Sequence, residues 1–366
     1  MTEAAPMKRQ SGHFSEALRH RVVAAFFGRL FAAVNRTLCP PGQLPEHGIH
    51  KILICRPNHR LGNAILISPL LAEVEALYPG AEIDMVSAGH AAQTLFASRF
   101  QLRRVFSFPR KIARHLGSSV GLLRQLRENT YDLAIDASNG SQSGRLLLAI
   151  VKARFKLGFA EQPAQAGVAP EPDEGPEHFA LRTVFLLRTA YAGKRDGGWP
   201  ELNVHLTDEE RRQARLALAR IVGESTLSAP ERPVVGIFAN ATGAKHYGEA
   251  WWTRFVSTLQ ALQPGICIVD LVADHGQSQL GQAFPSYYTR DLRRLASMIA
   301  NMSAFISADC GVMHLAAASG TPTLGLFSVT SAAKYGPYGD ANSAIDTATL
   351  NAAEAAAIAS DWLSMP

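Results

Sequence analysis

Ala304 to Phe327 reads as one folding unit. A buried strand from Ala304 to Ser307 runs into the tight turn Asp309-Cys310-Gly311. A small-residue helix from His314 to Ser319 follows, and then a further strand from Pro322 to Phe327. Such a turn stands at the carboxyl end of a strand, where open α/β sheets bind ligands. A helix that starts there points free N–H groups at an anion. Ala316, Ala317 and Ala318 let the helix lie close to a sheet. An Asp-x-Gly turn is also ordinary turn chemistry, so this unit alone leaves both a structural and a functional reading open.

A second unit of the same kind lies near the other end of the chain. Lys51 to Cys55 runs into Arg56-Pro-Asn-His-Arg-Leu-Gly-Asn63, a helix is expected from Ala64 to Leu77, and Pro79-Gly80 ends it. Strands at His50 to Cys55, Glu82 to Ser87, Arg104 to Phe108 and Tyr131 to Ala137 alternate with helices near Ala64 to Leu77, Ala91 to Ser98, Ser118 to Asn129 and Gln142 to Lys152. Later strands at Pro233 to Ala239, Ile266 to Val272, Ala304 to Ala308 and Thr323 to Phe327 alternate with helices in the same way. This rhythm means parallel sheets wound with helices, the α/β class. At 366 residues the chain is too long for one core, so two domains facing one cleft are expected. The expected divisions are a tail with a basic amphipathic helix over 1–49, a first domain over 50–195, a second over 196–345 and a C-terminal helix over 346–366. Thr207 with Glu210 predicts a capping box at the start of a helix from Asp208 to Val222.

The combination of motifs resembles the heptosyltransferase-type glycosyltransferases of lipopolysaccharide core assembly, glycosyltransferase family 9. The residues that carry the resemblance are Arg60-Leu-Gly-Asn63 with Ser68-Pro69-Leu70-Leu71, Lys245 before Trp251, Trp252 and Phe255, Asp309-Cys-Gly-Val-Met-His314, and Tyr335-Gly-Pro-Tyr-Gly339. It spans roughly residues 50 to 340. It implies the GT-B fold, two Rossmann-like domains facing a central cleft. It also implies transfer of a heptose-like sugar from a nucleotide-sugar donor of ADP-heptose type, bound mainly by the second domain. The last helix, Ala352 to Leu363, is implied to cross back and brace the first domain.

Charge divides unevenly along the chain. Residues 1–172 hold 21 Lys and Arg against 12 Asp and Glu, and the remainder holds 15 against 19. The basic half is rich in arginine, which favours bidentate contact with phosphate or carboxylate, so an anionic glycolipid acceptor is expected there rather than nucleic acid. The helix expected from Ser15 to Val34 is basic and amphipathic, and it either packs on its own protein or lies on the inner membrane surface. The chain has no apolar run long enough to span a bilayer and four scattered cysteines without a Cys-x-x-Cys pair, so a cytoplasmic protein is expected.

Sugar transfer from a nucleoside diphosphate builds negative charge on the leaving diphosphate, which fixed cations and N–H dipoles must stabilise. No Asp-x-Asp pair ends a strand, so no metal and no cofactor are expected. The candidate donor site is Thr242, Lys245, Asp309, Cys310, Gly311 and His314; outside the resemblance, Lys245 reads first as an ordinary loop lysine, and His314 also reads as a structural histidine. Arg56 and Arg60 are the candidate acceptor-binding residues. The family places an aspartate directly after the glycine of Arg60-Leu-Gly, and this chain has Asn63, an amide without useful basicity. His59 in the same loop is then the candidate base. A nucleotide-sugar-binding protein that has lost transfer stays open beside the enzyme reading.

Overall fold

The computed structural model describes residues 28, 32–109, 116–138, 141–159, 175–195, 197–223 and 232–365. The first sheet is formed by β1 (Lys51–Arg56), β2 (Glu82–Ala88), β3 (Leu102–Phe108), β4 (Thr130–Asp136) and β5 (Lys152–Leu157), in the order β3-β2-β1-β4-β5. Its helices are α1 (Leu61–Ile65), α2 (Ser68–Leu77), α3 (Ala91–Phe96), α4 (Leu116–Glu128), α5 (Gln142–Ile150) and α6 (Phe179–Ala190). The second sheet is formed by β6 (Val234–Phe238), β7 (Cys267–Val272), β8 (Ser286–Tyr288), β9 (Ala304–Ala308), β10 (Thr323–Phe327) and β11 (Ser343–Asp346), in the order β11-β10-β9-β6-β7-β8. Around it lie α7 (Asp208–Ile221), α8 (Glu249–Leu262), α9 (Leu292–Ile299), α10 (Gly311–Ala318), α11 (Ala332–Tyr335) and α12 (Ala352–Leu363). The expected α/β fold with two Rossmann-like sheets is what the structure shows.

The central strands are buried and largely apolar because helices cover both faces of a parallel sheet. Ile52, Leu53, Ile54 and Cys55 of β1 are fully buried, and every residue of β6, β9 and β10 is buried. In both sheets the strand order reverses beside the first strand, between β1 and β4 and between β6 and β9. At such a reversal adjacent connections leave on opposite faces of the sheet and open a crevice at the strands' carboxyl ends.

Several elements differ from expectation. The helix expected from Ala64 to Leu77 is two helices, α1 and α2, because the ring of Pro69 would collide with the carbonyl of residue 65 in a continuous helix, whereas Pro is tolerated in a first turn. Lys152 opens strand β5 rather than ending a helix. Edge strands β8 and β11 have three and four residues, too few to show alternation. The C-terminal helix does not brace the first sheet. Ala355, Ala356 and Ala359 of α12 are fully buried in the second domain's core with Trp252 and Leu259 of α8, and Gln263 Nε2 donates to Ser360 Oγ at 3.0 Å. A flat alanine stripe packs at close range, and α8 is the nearest apolar face. The capping box of Thr207 and Glu210 is present as expected. The helix expected from Ser15 to Val34 falls largely outside the described residues. Among the described residues no helix is long and apolar enough to cross a membrane.

Polar ties join the two sheets. Arg293 of α9 donates from Nη1 to the carbonyl of Leu95 in α3 at 2.9 Å and to that of Val204 at 3.1 Å, while Glu210 accepts from its Nε at 2.5 Å. The hydrogen bond from Arg293, with those from Thr207 and against the effect of burial, carries the Glu210 carboxyl down to about 2. The backbone N–H of Asn203 donates to Ser68 Oγ at 3.1 Å.

Glu73 of α2 holds the connection between the sheets. Fully buried, it accepts from Arg188 Nε and Nη2 at 2.9 and 2.8 Å and from Arg195 Nε at 2.9 Å, and Arg188 Nη2 also donates to the carbonyl of Gly198 at 2.9 Å. Burial raises the Glu73 carboxyl, but the two arginines outweigh it and the net shift is downward. Removing one member of a buried ion pair strands the other charge, so Glu73→Ala is expected to cost about 3 to 5 kcal/mol by urea denaturation at neutral pH. A carboxyl held below its unfolded value contributes stability above that value, about 4.3, and loses it as pH falls further. The gap between wild type and variant should therefore narrow in acid.

Candidate active site

The reversal point of the first sheet is lined by the loop after β1 and the loop after β4. Arg56, the last residue of β1, donates from Nη1 to the carbonyl of Ala137 and from Nη2 to Asn63 Oδ1 at 3.0 Å. Burial lowers the Arg56 pKa, against the charges of Asp136 and Tyr335. Its guanidinium thus orders the site wall, while Asn63 spends its acceptor oxygen on an arginine. Arg60 and His59 are exposed, and among the described residues neither side chain has a hydrogen bond or ion pair. Asp136, the last residue of β4, is buried and accepts from the Ser138 N–H at 2.8 Å and from Ser138 Oγ at 2.5 Å.

The reversal point of the second sheet brings the candidate donor residues together. Lys245, in a 3-10 turn over Gly243–Lys245, places Nζ 2.7 Å from Asp309 Oδ2. The Thr330 hydroxyl donates to the same oxygen, so Asp309 ties together the loops after β6, β9 and β10. Thr242 is exposed at the start of the 3-10 turn and makes no capping hydrogen bond. Cys310 precedes α10 with Sγ 3.3 Å from Ser307 Oγ, and burial pushes its thiol pKa up. Gly311 opens α10, whose first N–H groups have no helical partner. His314 is 4 % exposed and its Nδ1 is buried without a hydrogen-bond partner.

The two reversal points meet across the cleft. A Cβ on Gly311 would lie 2.7 Å from Leu61 Cβ and 2.9 Å from Gly62 N, and a Cβ on Gly62 would lie 2.7 Å from His314 Cδ2. The backbones therefore touch where α1 and α10 begin, and only glycine allows it. Beside this contact His178 Nε2 donates to the carbonyl of Gly336 at 3.0 Å, while its Nδ1 accepts from Ala180 N–H at 3.2 Å and caps α6. Its ring lies 5.2 Å from that of Tyr338, and Phe179 lies 4.7 Å from Tyr335. The sequence alone does not single out His178, because a lone histidine carries no signal of its distant partner.

The sequence profile of glycosyltransferase family 9 (heptosyltransferase) matches residues 120–357. The chain belongs to that family. It is a glycosyltransferase. The profile match contains Asp136, Ser138, Lys245, Asp309 and His314, and it begins after the loop of Arg56, His59 and Asn63. Lipooligosaccharide heptosyltransferase 2 of Haemophilus influenzae is 25% identical over 304 residues, covering 79% of this chain and 86% of its own length. Among solved structures, the E. coli heptosyltransferase WaaC with ADP superposes with a TM-score of 0.63 at 19% identity, over 85% of this chain and 99% of that one. E. coli ADP-heptose lps heptosyltransferase II gives 0.60 at 18% identity, over 86% and 98%. At these identities the structures speak for the shared fold.

Two outcomes follow from this geometry for a family 9 chain. Gly311→Ala is expected to lose about 1 to 3 kcal/mol, the cost of forcing a methyl into a filled contact, read by urea denaturation. Burial pushes His314 down to about 4, with His178 and Lys245 acting the same way and Asp309 opposing them. The unfolded chain takes up this proton below about pH 6.5, so stability should be whole above that value and fall by about 3 kcal/mol as pH drops toward 4. His314→Gln should remove that part of the acid sensitivity, as judged from urea midpoints at pH 7 and 4.5.

Proposed function

We propose that this glycosyltransferase moves a heptose-like sugar from a nucleoside diphosphate donor of ADP-heptose type to an anionic, lipopolysaccharide-core-like acceptor, with inversion and without a metal. The observation that carries the reading is the meeting of Lys245, Asp309, the α10 N-terminus and the unpartnered His314 Nδ1 at one strand reversal. Diphosphate oxygens take the N–H groups of α10 and the Lys245 ammonium, which Asp309 holds in place until the donor arrives. As the anomeric C–O bond breaks, the same groups face the charge that grows on the diphosphate. The acceptor binds across the cleft, where exposed Arg60 meets its anionic groups and Arg56 keeps Asn63 and the Ala137 carbonyl in position. One displacement from that side inverts the anomeric centre.

The structures of E. coli WaaC with ADP and with ADP-2-deoxy-2-fluoro heptose support the donor class. Asn63 favours a second reading, a nucleotide-sugar-binding protein of this fold without transfer, because an amide bound to Arg56 takes no proton. Purified protein incubated with ADP-heptose and a deacylated core acceptor separates the two, with product formation expected and donor binding without product overturning the enzyme reading. Lys245→Ala should lower kcat by about tenfold to a thousandfold, the range for one lost charge-stabilising group. Unchanged turnover in that folded variant would remove Lys245 from the donor site.

A further inference from the structure

β4 is the one strand of the first sheet that ends in a carboxylate, Asp136, and it ends at the strand reversal beside β1. Asp136 is 1 % exposed. Its Oδ1 takes both the N–H and the hydroxyl of Ser138, so the Ser138 proton points at the acid and the oxygen lone pairs of this half-buried serine remain for another donor. The neighbourhood is built around that pair. Any Cβ on Gly144 would collide with both Asp136 Oδ1 and Ser138 Oγ, so α5 clears the space with a glycine. The intervening Ala137 gives its carbonyl to Arg56, and Arg56 reaches Asn63 with its other nitrogen. Ser138 therefore borders the same arginine as Asn63, on the acceptor side of the cleft.

Resting on the transfer reading above, we propose that Ser138 Oγ receives the acceptor hydroxyl proton and passes its own to Asp136, a relay that replaces the base Asn63 cannot be. The acceptor O–H bond breaks as its oxygen forms the new bond to the anomeric carbon. The anomeric C–O bond to the diphosphate breaks, and its electron pair leaves with the nucleoside diphosphate. The acceptor proton goes to Ser138 Oγ while the Ser138 proton goes to Asp136 Oδ1, which ends the step as a neutral acid and later releases its proton to water. Burial makes the carboxyl a stronger base than a free aspartate, and the Ser138 hydrogen bonds with the charges of Arg56 and Arg145 only partly offset it. The titratable and charged groups that face it are Arg56 and Cys55 from β1 and Arg145 from α5.

The test compares kcat, KM and pH profiles of the full chain and two variants with ADP-heptose and a deacylated core acceptor. Asp136→Asn keeps a carbonyl oxygen for the Ser138 N–H, and Ser138→Ala keeps the acid and the turn. Asp136→Asn should lower kcat by about a hundredfold to ten-thousandfold, the range for general base catalysis, and Ser138→Ala by at least tenfold. Both should keep KM for donor and acceptor within about twofold and bind ADP as the wild type does. Wild-type kcat should rise with pH through one ionisation above the free aspartate value of about 3.9, and Asp136→Asn should abolish that limb. Wild-type transfer with both variants within threefold of it overturns the relay alone, as does loss of the limb in His59→Gln. A wild type that binds ADP and transfers nothing overturns the transfer reading and the relay with it.

Discussion

The backbone contact between Gly62 and Gly311 sets the distance between everything else in the cleft. Each glycine lies in the first turn of a helix at a strand reversal, and each reversal gathers its own polar groups. A methyl on either would meet atoms of the opposite domain at about van der Waals overlap distance, 2.7 Å in both cases. The contact thus fixes how far Lys245 and Asp309 lie from Arg56 and Asp136. His178 and Arg293 lock the same relation from two flanks, His178 through the Gly336 carbonyl and Arg293 through the Leu95 carbonyl. A cleft between two domains needs such a reference, because groups on its opposite walls act together only at a set separation.

The charges at the two reversals are held ready rather than left to water. Lys245 is paired with Asp309, and Asp309 is shared with Thr330, so the position of the Lys245 cation is already determined. Arg56 is paired with neutral oxygens, the Ala137 carbonyl and the Asn63 amide, and retains its charge beside the buried Asp136. An aspartate in place of Asn63 would put a second carboxylate on the same guanidinium. With an amide there, the arginine faces one buried acid.

What the chain determined locally was legible without coordinates. Short, largely apolar runs such as Ile52 to Cys55 and Ala304 to Ala308 match strands covered on both faces, and their alternation with helices implied two parallel sheets. The Thr207 and Glu210 capping box is set by two side chains three residues apart. The candidate donor residues were readable because Asp309 to His314 and the Lys245 loop are short, continuous motifs. The tertiary structure alone decided the rest. Strands β8 and β11 exist because a neighbouring strand is there to pair with, and α12 chose α8 because its alanine stripe fits the nearest flat apolar surface rather than the first sheet. Asp136 carries no sequence signal that separates it from any strand-end acid. Its burial, its bond to Ser138 and the space left by Gly144 arise only when β1, β4 and α5 come together, since desolvation and proximity belong to the assembled fold and not to any one segment.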